Sequence, residues 1–68
     1  MTMHPVISTN VIAVGYDPRT RTLRVQFRSG GTYDYCGVDP GLFDQMLLPN
    51  PWRRIGRLLK TRPYAKVA

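Results

Sequence analysis

Two turn signals enclose a stretch in which apolar and polar residues alternate strictly. The stretch Leu23-Arg24-Val25-Gln26-Phe27-Arg28 has the period of two that is typical of a half-buried strand. Asp17-Pro18-Arg19-Thr20 precedes it, and aspartate followed by proline favours a type I turn. Ser29-Gly30-Gly31 follows it, and glycine readily adopts the positive φ of a hairpin. The pattern predicts a central strand flanked by antiparallel neighbours at about Val11–Tyr16 and Thr32–Val38.

The length of the glycine turn decides which way the tyrosines of the third strand face. A three-residue connection with a bulge pairs Phe27 with Tyr33 and Val25 with Tyr35, so both tyrosines join the core. It also places Asp34 among arginines of the neighbouring strand. A two-residue turn shifts the register by one and turns both tyrosines toward solvent. We favour the first alternative, because it groups the apolar residues and gives Asp34 cationic neighbours.

Two helices are expected after the strands. Asp39-Pro40 provides a side-chain acceptor at the N-cap and proline at N1. Apolar residues then recur at the spacing of a buried helix face, at Leu42, Phe43, Met46 and Leu47. Pro49-Asn50-Pro51 should end this helix, because the residue before a proline avoids the helical region.

The second helix is predicted at about Trp52–Lys60, with two separate faces. An inward face should contain Trp52, Ile55, Leu58 and Leu59, and an outward face should contain Arg53, Arg54, Arg57 and Lys60. We therefore expect an α+β fold, a three-stranded antiparallel β-meander followed by two helices packed on one face. The domain should span residues 9–67, after a flexible N-terminus at residues 1–8.

The excess of positive charge is confined to the last third of the chain. Residues 1–44 contain four arginines and four aspartates, which cancel. Residues 45–68 contain no acidic residue and hold the whole formal net charge of +6, on Arg53, Arg54, Arg57, Lys60, Arg62 and Lys66. A charge run is often only a solvated face. Its one-sided placement here favours a binding surface for a negatively charged partner.

The order of three motifs resembles the KTSC domain family. The motifs are Val11-x-x-Val14-Gly15-Tyr16-Asp17, Leu23-x-Val25-x-Phe27 and Gly30-Gly31-x-Tyr33-x-Tyr35-x-x-Val38. The family is named for a module at the C-terminus of some lysyl-tRNA synthetases and also occurs as small free-standing proteins of bacteria and phages. The resemblance implies RNA binding by association and no catalytic residues. In the second half the sequence departs from the usual pattern of the family, at Pro49-Asn50-Pro51, Trp52-Arg53-Arg54 and Arg62-Pro63-Tyr64.

Residues for catalysis or metal binding are sparse. Cys36 and His4 are the only candidates for nucleophilic or acid–base chemistry, and nothing in the sequence brings them together. We expect Cys36 to be a small packing residue of the third strand. The four aspartates lack metal-ligand spacing. The sequence therefore predicts a non-enzymatic protein without metal or cofactor, and the lone cysteine fits a cytoplasmic setting.

Two kinds of partner suit the cationic segment. Nucleic acid, RNA rather than DNA, would contact the six cations of residues 45–68 through its phosphates, with Arg24 and Arg28 extending the patch if the faces meet. Trp52, Tyr64, Tyr33 and Tyr35 are the candidate stacking residues.

The alternative partner is an acidic surface of a larger protein machine such as RNA polymerase, with the chain acting as a phage-encoded or bacterial regulator of transcription. Membrane attachment is disfavoured, because the apolar face of the second helix is needed to cover the sheet. An open sheet edge is compatible with either a monomer or a weak dimer.

Overall fold

A five-stranded antiparallel sheet and two helices make up the structure, a computed structural model that describes all 68 residues. The strands are β1 (Met3–Pro5), β2 (Val11–Asp17), β3 (Thr22–Phe27), β4 (Thr32–Tyr35) and β5 (Tyr64–Lys66). The helices α1 (Pro40–Met46) and α2 (Pro51–Leu59) lie between β4 and β5 in sequence. The strands are arranged in the order β1-β2-β3-β4-β5. The expected α+β class, with an antiparallel sheet and two helices, is confirmed.

Two short edge strands extend the predicted meander. β1 lies within the segment that was expected to be flexible, and it pairs residue by residue with Ala13–Gly15 of β2. Gly15 allows this close approach, because a Cβ there would lie 2.7 Å from the Met3 sulfur and 2.9 Å from the Thr2 carbonyl oxygen. β5 pairs with β4 on the opposite edge. Strands of three residues are too short to show an alternation, so the sequence pattern did not indicate them.

The β3–β4 turn has three residues, Arg28-Ser29-Gly30, and lies one residue earlier than in the favoured alternative. The Phe27 amide donates to the Gly31 carbonyl oxygen, and Gly30 and Gly31 both have positive φ. Tyr33 therefore pairs with Val25 and Tyr35 with Leu23, two residues away from the predicted pairing. A shift of two preserves the face of every side chain. Both tyrosines thus face the helices as expected, although their predicted partners are wrong.

The helices cover one face of the sheet and enclose a small apolar core. Asp39 caps α1 as predicted, with its Oδ1 accepting from the Leu42 amide at 2.8 Å. Neither helix has the length and apolar content needed to cross a membrane. The buried cluster draws on both layers and contains Val11, Val14, Leu23, Val25, Tyr35, Val38, Leu42, Met46 and Leu59.

Three side chains lie elsewhere than predicted. Leu58 is 46% exposed, because the inward face of α2 is formed by Trp52, Ile55, Gly56 and Leu59. Leu47 is also exposed, since α1 ends at Met46 and Leu47 is its C-cap. Cys36 was expected to pack within the third strand, but β4 ends at Tyr35 and Cys36 is exposed.

Candidate nucleic-acid interface

Five aromatic rings form a closed circuit around a pocket on the helix-covered side of the sheet. Centroid distances are 5.8 Å from Phe27 to Tyr33, 6.2 Å from Tyr33 to Tyr64 and 5.5 Å from Tyr64 to Tyr35. The circuit closes through Trp52, which is 5.9 Å from Tyr35 and 4.8 Å from Phe27. The pocket has a volume of about 390 Å³. Five of the seven Phe, Tyr and Trp residues therefore meet at one place.

Strand pairing and one glycine bring these rings together. Tyr33 and Tyr35 alternate on β4 and so share a face, and Tyr64 of β5 pairs directly with Tyr35. The Trp52 indole lies against Gly56 of its own helix, where a Cβ would come within 2.8 Å of the ring, and it contacts Phe27 and Tyr35 of the sheet. Tyr35 is buried whereas Tyr64 is 59% exposed. The pocket is therefore deep at Tyr35 and open at Tyr64.

Polar groups without partners line the same pocket. Ser29, Gly30 and Lys60 complete its lining. Among the four tyrosines only Tyr16, which lies outside the pocket, uses its hydroxyl in a hydrogen bond within the chain, to the Val38 carbonyl oxygen. Burial raises the pKa of Tyr35, and the neighbouring phenols of Tyr64 and Tyr33 raise it further. The hydroxyls of the pocket are thus available to a ligand.

Three cations form a line along the exposed side of α2. We define the cationic face of α2 as Arg53, Arg57 and Lys60, all exposed and free of ion pairs. Their spacing of four and three residues puts them on one side of the helix, along about 10 Å at about 1.5 Å per residue. Lys60 also lines the aromatic pocket, so the cationic face and the pocket are continuous.

Two further predicted cations lie near this face in different settings. Lys66 is exposed and pairs with Tyr33 in the register of β4 and β5. Its Cε is 3.4 Å from the position of a Cβ on Gly31, beside the β3–β4 turn. Arg62 is half-buried, and its Nε has no hydrogen-bond partner. Lys66 therefore adds a free charge beside the pocket.

Arg54 differs from the cationic face of α2, because its guanidinium is hydrogen-bonded within the protein. Its guanidinium donates to the Gln45 carbonyl oxygen at 2.7 Å, to the Gln45 side chain at 3.1 Å and to the Pro49 carbonyl oxygen at 3.3 Å. The Gln45 carbonyl oxygen also accepts from the Leu48 amide, so the guanidinium adds a second bond at the end of α1 and one to the linker at Pro49. Arg54 thereby joins α2 to α1.

Arg24 does not extend the cationic surface, whereas Arg28 is exposed in the β3–β4 turn beside Ser29 of the pocket. Arg24 alternates with the core residues Leu23 and Val25, so it lies on the sheet face away from the helices. It makes two bonds to the Asp34 carboxylate, at 2.7 and 2.9 Å, and these bonds raise the pKa of Arg24. Arg28 donates to the Ser8 carbonyl oxygen at 3.3 Å. Of these two arginines, Arg24 therefore lies on the face of the sheet opposite to α2.

The pocket as a unit was not evident from the sequence. Phe27 was missed as a pocket residue because its alternation indicated only a core position. Tyr64 was a candidate stacking residue whose neighbours could not be predicted, because β5 is too short to show an alternation of apolar and polar residues. The residues that could ligate a metal are not grouped: no three His, Cys, Asp or Glu side chains lie close enough together to hold a metal ion.

Three comparisons place the fold among known proteins. The family model described as the KTSC domain matches residues 7–48. A protein of Tsukamurella paurometabola is 44% identical over 45 residues, which are 66% of this chain and 67% of that protein. The crystal structure of a KTSC domain protein from Yersinia pestis matches with a TM-score of 0.88 and 30% identity, over 98% of this chain and 97% of that chain. The family model ends before α2, whereas the structural match also includes α2 and β5.

Proposed function

The chain belongs to the KTSC domain family, and we propose that it is a non-enzymatic module that binds RNA through the cationic face of α2. The observation that carries the proposal is the absence of any ion pair in residues 45–68, which hold the whole net charge. Both salt bridges of the protein lie elsewhere, at Arg19–Asp17 and Arg24–Asp34. Within α2, Arg53 and Arg57 make no ion pair or side-chain hydrogen bond that would stabilise the fold, whereas Arg54 binds α1 and the Pro49 carbonyl oxygen.

Phosphate is the anion that suits this arrangement. Arg53 and Arg57 each present a planar fork of donors that fits phosphate oxygens, and Lys60 and Lys66 provide point charges close by. A row of cations on one helix side can follow consecutive phosphates of a backbone, and each contact releases counterions. RNA is preferred over DNA because the family takes its name from a module of tRNA-charging enzymes.

Charge reversal on α2 tests this proposal against a matched control. In Arg53→Glu/Arg57→Glu two free cations of the cationic face become anions. In Arg19→Glu/Arg21→Glu two exposed arginines of the β2–β3 turn change in the same way. Each reversal removes two charges, so both variants carry +2 instead of +6. Any difference between them reports the position of the charge and not its total.

The three proteins are used to capture partners from a bacterial lysate at moderate salt, with and without nuclease. We expect the wild type and the turn variant to retain nucleic acid that nuclease removes, and the α2 variant to retain little. A stoichiometric protein that survives nuclease treatment, with no nucleic acid bound, would overturn the proposal. It would favour docking on an acidic surface of a protein machine. Circular dichroism checks that all three proteins are folded.

A further inference from the structure

We propose that the aromatic pocket takes one unpaired base of a single-stranded RNA, so that the domain selects single strands over duplexes. This inference rests on the proposed function, because the cationic face supplies the phosphate contacts beside the pocket. The pocket is lined by the five aromatic rings of the circuit together with Ser29, Gly30 and Lys60. Its volume of about 390 Å³ falls in the range of about 300–1,000 Å³ that small-molecule sites occupy.

The shape of the pocket suits a flat, polar-edged group. The indole of Trp52 stands nearly perpendicular to the Phe27 ring, at 85°, and the Phe27 ring stands at 76° to Tyr33. Neighbouring rings therefore meet edge to face, and an aromatic face is the surface on which a base stacks. The free hydroxyls of Tyr33, Tyr35 and Tyr64 can each donate or accept a hydrogen bond at the edge of the base.

Charge decides between the ligands that aromatic pockets take. A pocket that binds a methylated ammonium uses ring faces without a competing cation. Here Lys60 lines the pocket and Lys66 pairs with Tyr33 at its side, which disfavours a cationic ligand and favours one that carries phosphate. A nucleotide meets both conditions, since its base is flat and its phosphate is anionic. A base within a duplex is stacked on both faces and paired along one edge, so only an unpaired base can enter.

The test separates the base from the backbone. An eight-nucleotide single-stranded RNA is compared with an abasic oligomer of the same length and charge, and with a duplex of the same sequence. We expect the wild type to bind the RNA at least about fivefold more tightly than the abasic oligomer, since stacking of one base contributes about 1–3 kcal/mol. The duplex has a higher phosphate density, so entry of a base into the pocket is judged by Trp52 fluorescence, which the duplex should leave unchanged. Of the three oligomers, only the single-stranded RNA should change the fluorescence of Trp52, the only tryptophan.

Tyr64 provides a variant that spares the fold, because it is 59% exposed on an edge strand. Tyr64→Ala should bind RNA and the abasic oligomer almost equally, and Tyr64→Phe, which keeps the ring, should retain most of the preference. Equal binding of both oligomers by the wild type overturns the pocket inference and leaves the proposed function intact. Binding of neither oligomer overturns the proposed function itself.

A proline-rich peptide that binds in a Tyr64-dependent way, while RNA binding is unaffected by Tyr64→Ala, also overturns the inference.

Discussion

At the scale of the residue, Tyr35 combines a buried ring with a hydroxyl that no group of the chain satisfies. The side chain is 4% exposed and lies at the deep end of the pocket. Burial raises the pKa of Tyr35 above its ordinary value of 10.0, and the adjacent phenols of Tyr64 and Tyr33 act in the same direction. The neutral phenol is therefore the form that the folded state favours.

The raised pKa of Tyr35 predicts a loss of stability at alkaline pH. Below about pH 10 the phenol is neutral in both the folded and the unfolded state, so its contribution is fully present. As pH rises through the raised pKa, ionisation favours the unfolded state and the contribution is lost. Tyr35→Phe should match the wild type near neutral pH and retain more stability above about pH 10. Thermal unfolding across pH measures this, and parallel losses in both proteins would contradict it.

At the scale of the element, Gly56 allows the Trp52 indole to lie against the backbone of its own helix, α2. A Cβ on Gly56 would lie 2.8 Å from the indole Cδ2 and 2.9 Å from Cε2 of Trp52. Glycine is unfavourable within a helix by about 0.5–1 kcal/mol relative to alanine. Here that cost accompanies a close contact between helix backbone and indole, which holds Trp52 in the wall of the pocket.

Two glycine-to-alanine substitutions should therefore have opposite effects. Gly56→Ala forces the indole to move, and overpacking of about 1–3 kcal/mol outweighs the gain in helix propensity. Gly41→Ala in α1 is the matched control, because a Cβ there meets only the Asp39 Oδ1 at 3.4 Å. We expect Gly41→Ala to raise the free energy of unfolding by up to about 1 kcal/mol. Chemical denaturation measures both, and stabilisation by Gly56→Ala would show that the contact is unimportant.

Elements with a local cause were predictable from the sequence, and those with a distant cause were not. Asp39 and Pro40 start α1 through bonds within one turn, and the alternation of β3 reflects its own two faces. The pairing of Tyr33 with Val25 depends on a connection from Phe27 to Gly31, which the two glycines alone do not specify. β1 and β5 form because each pairs with an available edge of the sheet. A segment of three residues has no sequence pattern that would predict this pairing.

The same limit applies to the candidate site. The position of the positive charge in residues 45–68 could be read from composition along the chain. Which of those cations are free could not, because Arg54 is committed to carbonyl groups of Gln45 and Pro49 by the packing of two helices. The aromatic pocket joins residues from Phe27 to Tyr64, and only the sheet order and the approach of α2 bring them together.

At the scale of the whole molecule, the cations that form ion pairs and the cations of residues 45–68 that form none lie on different parts of the structure. Arg24 and Asp34 pair on the exposed face of the sheet, whereas Arg53, Arg57, Lys60 and Lys66 have no acidic partner. The free cations lie on and beside α2, next to the pocket that Lys60 helps to line. We infer that the protein presents one working surface, in which phosphate contacts and base stacking act together.

The salt dependence of RNA affinity tests this account most directly. Fluorescence anisotropy of a labelled single-stranded RNA is recorded over a range of salt concentrations for the wild type, Arg57→Gln and Arg21→Gln. The slope of log affinity against log salt should be negative in the wild type and shallower by about 0.7 in Arg57→Gln, because one phosphate contact with a single strand is lost. Arg21→Gln should match the wild type. Affinity that does not change with salt, or an equal change in both variants, would contradict the role of α2.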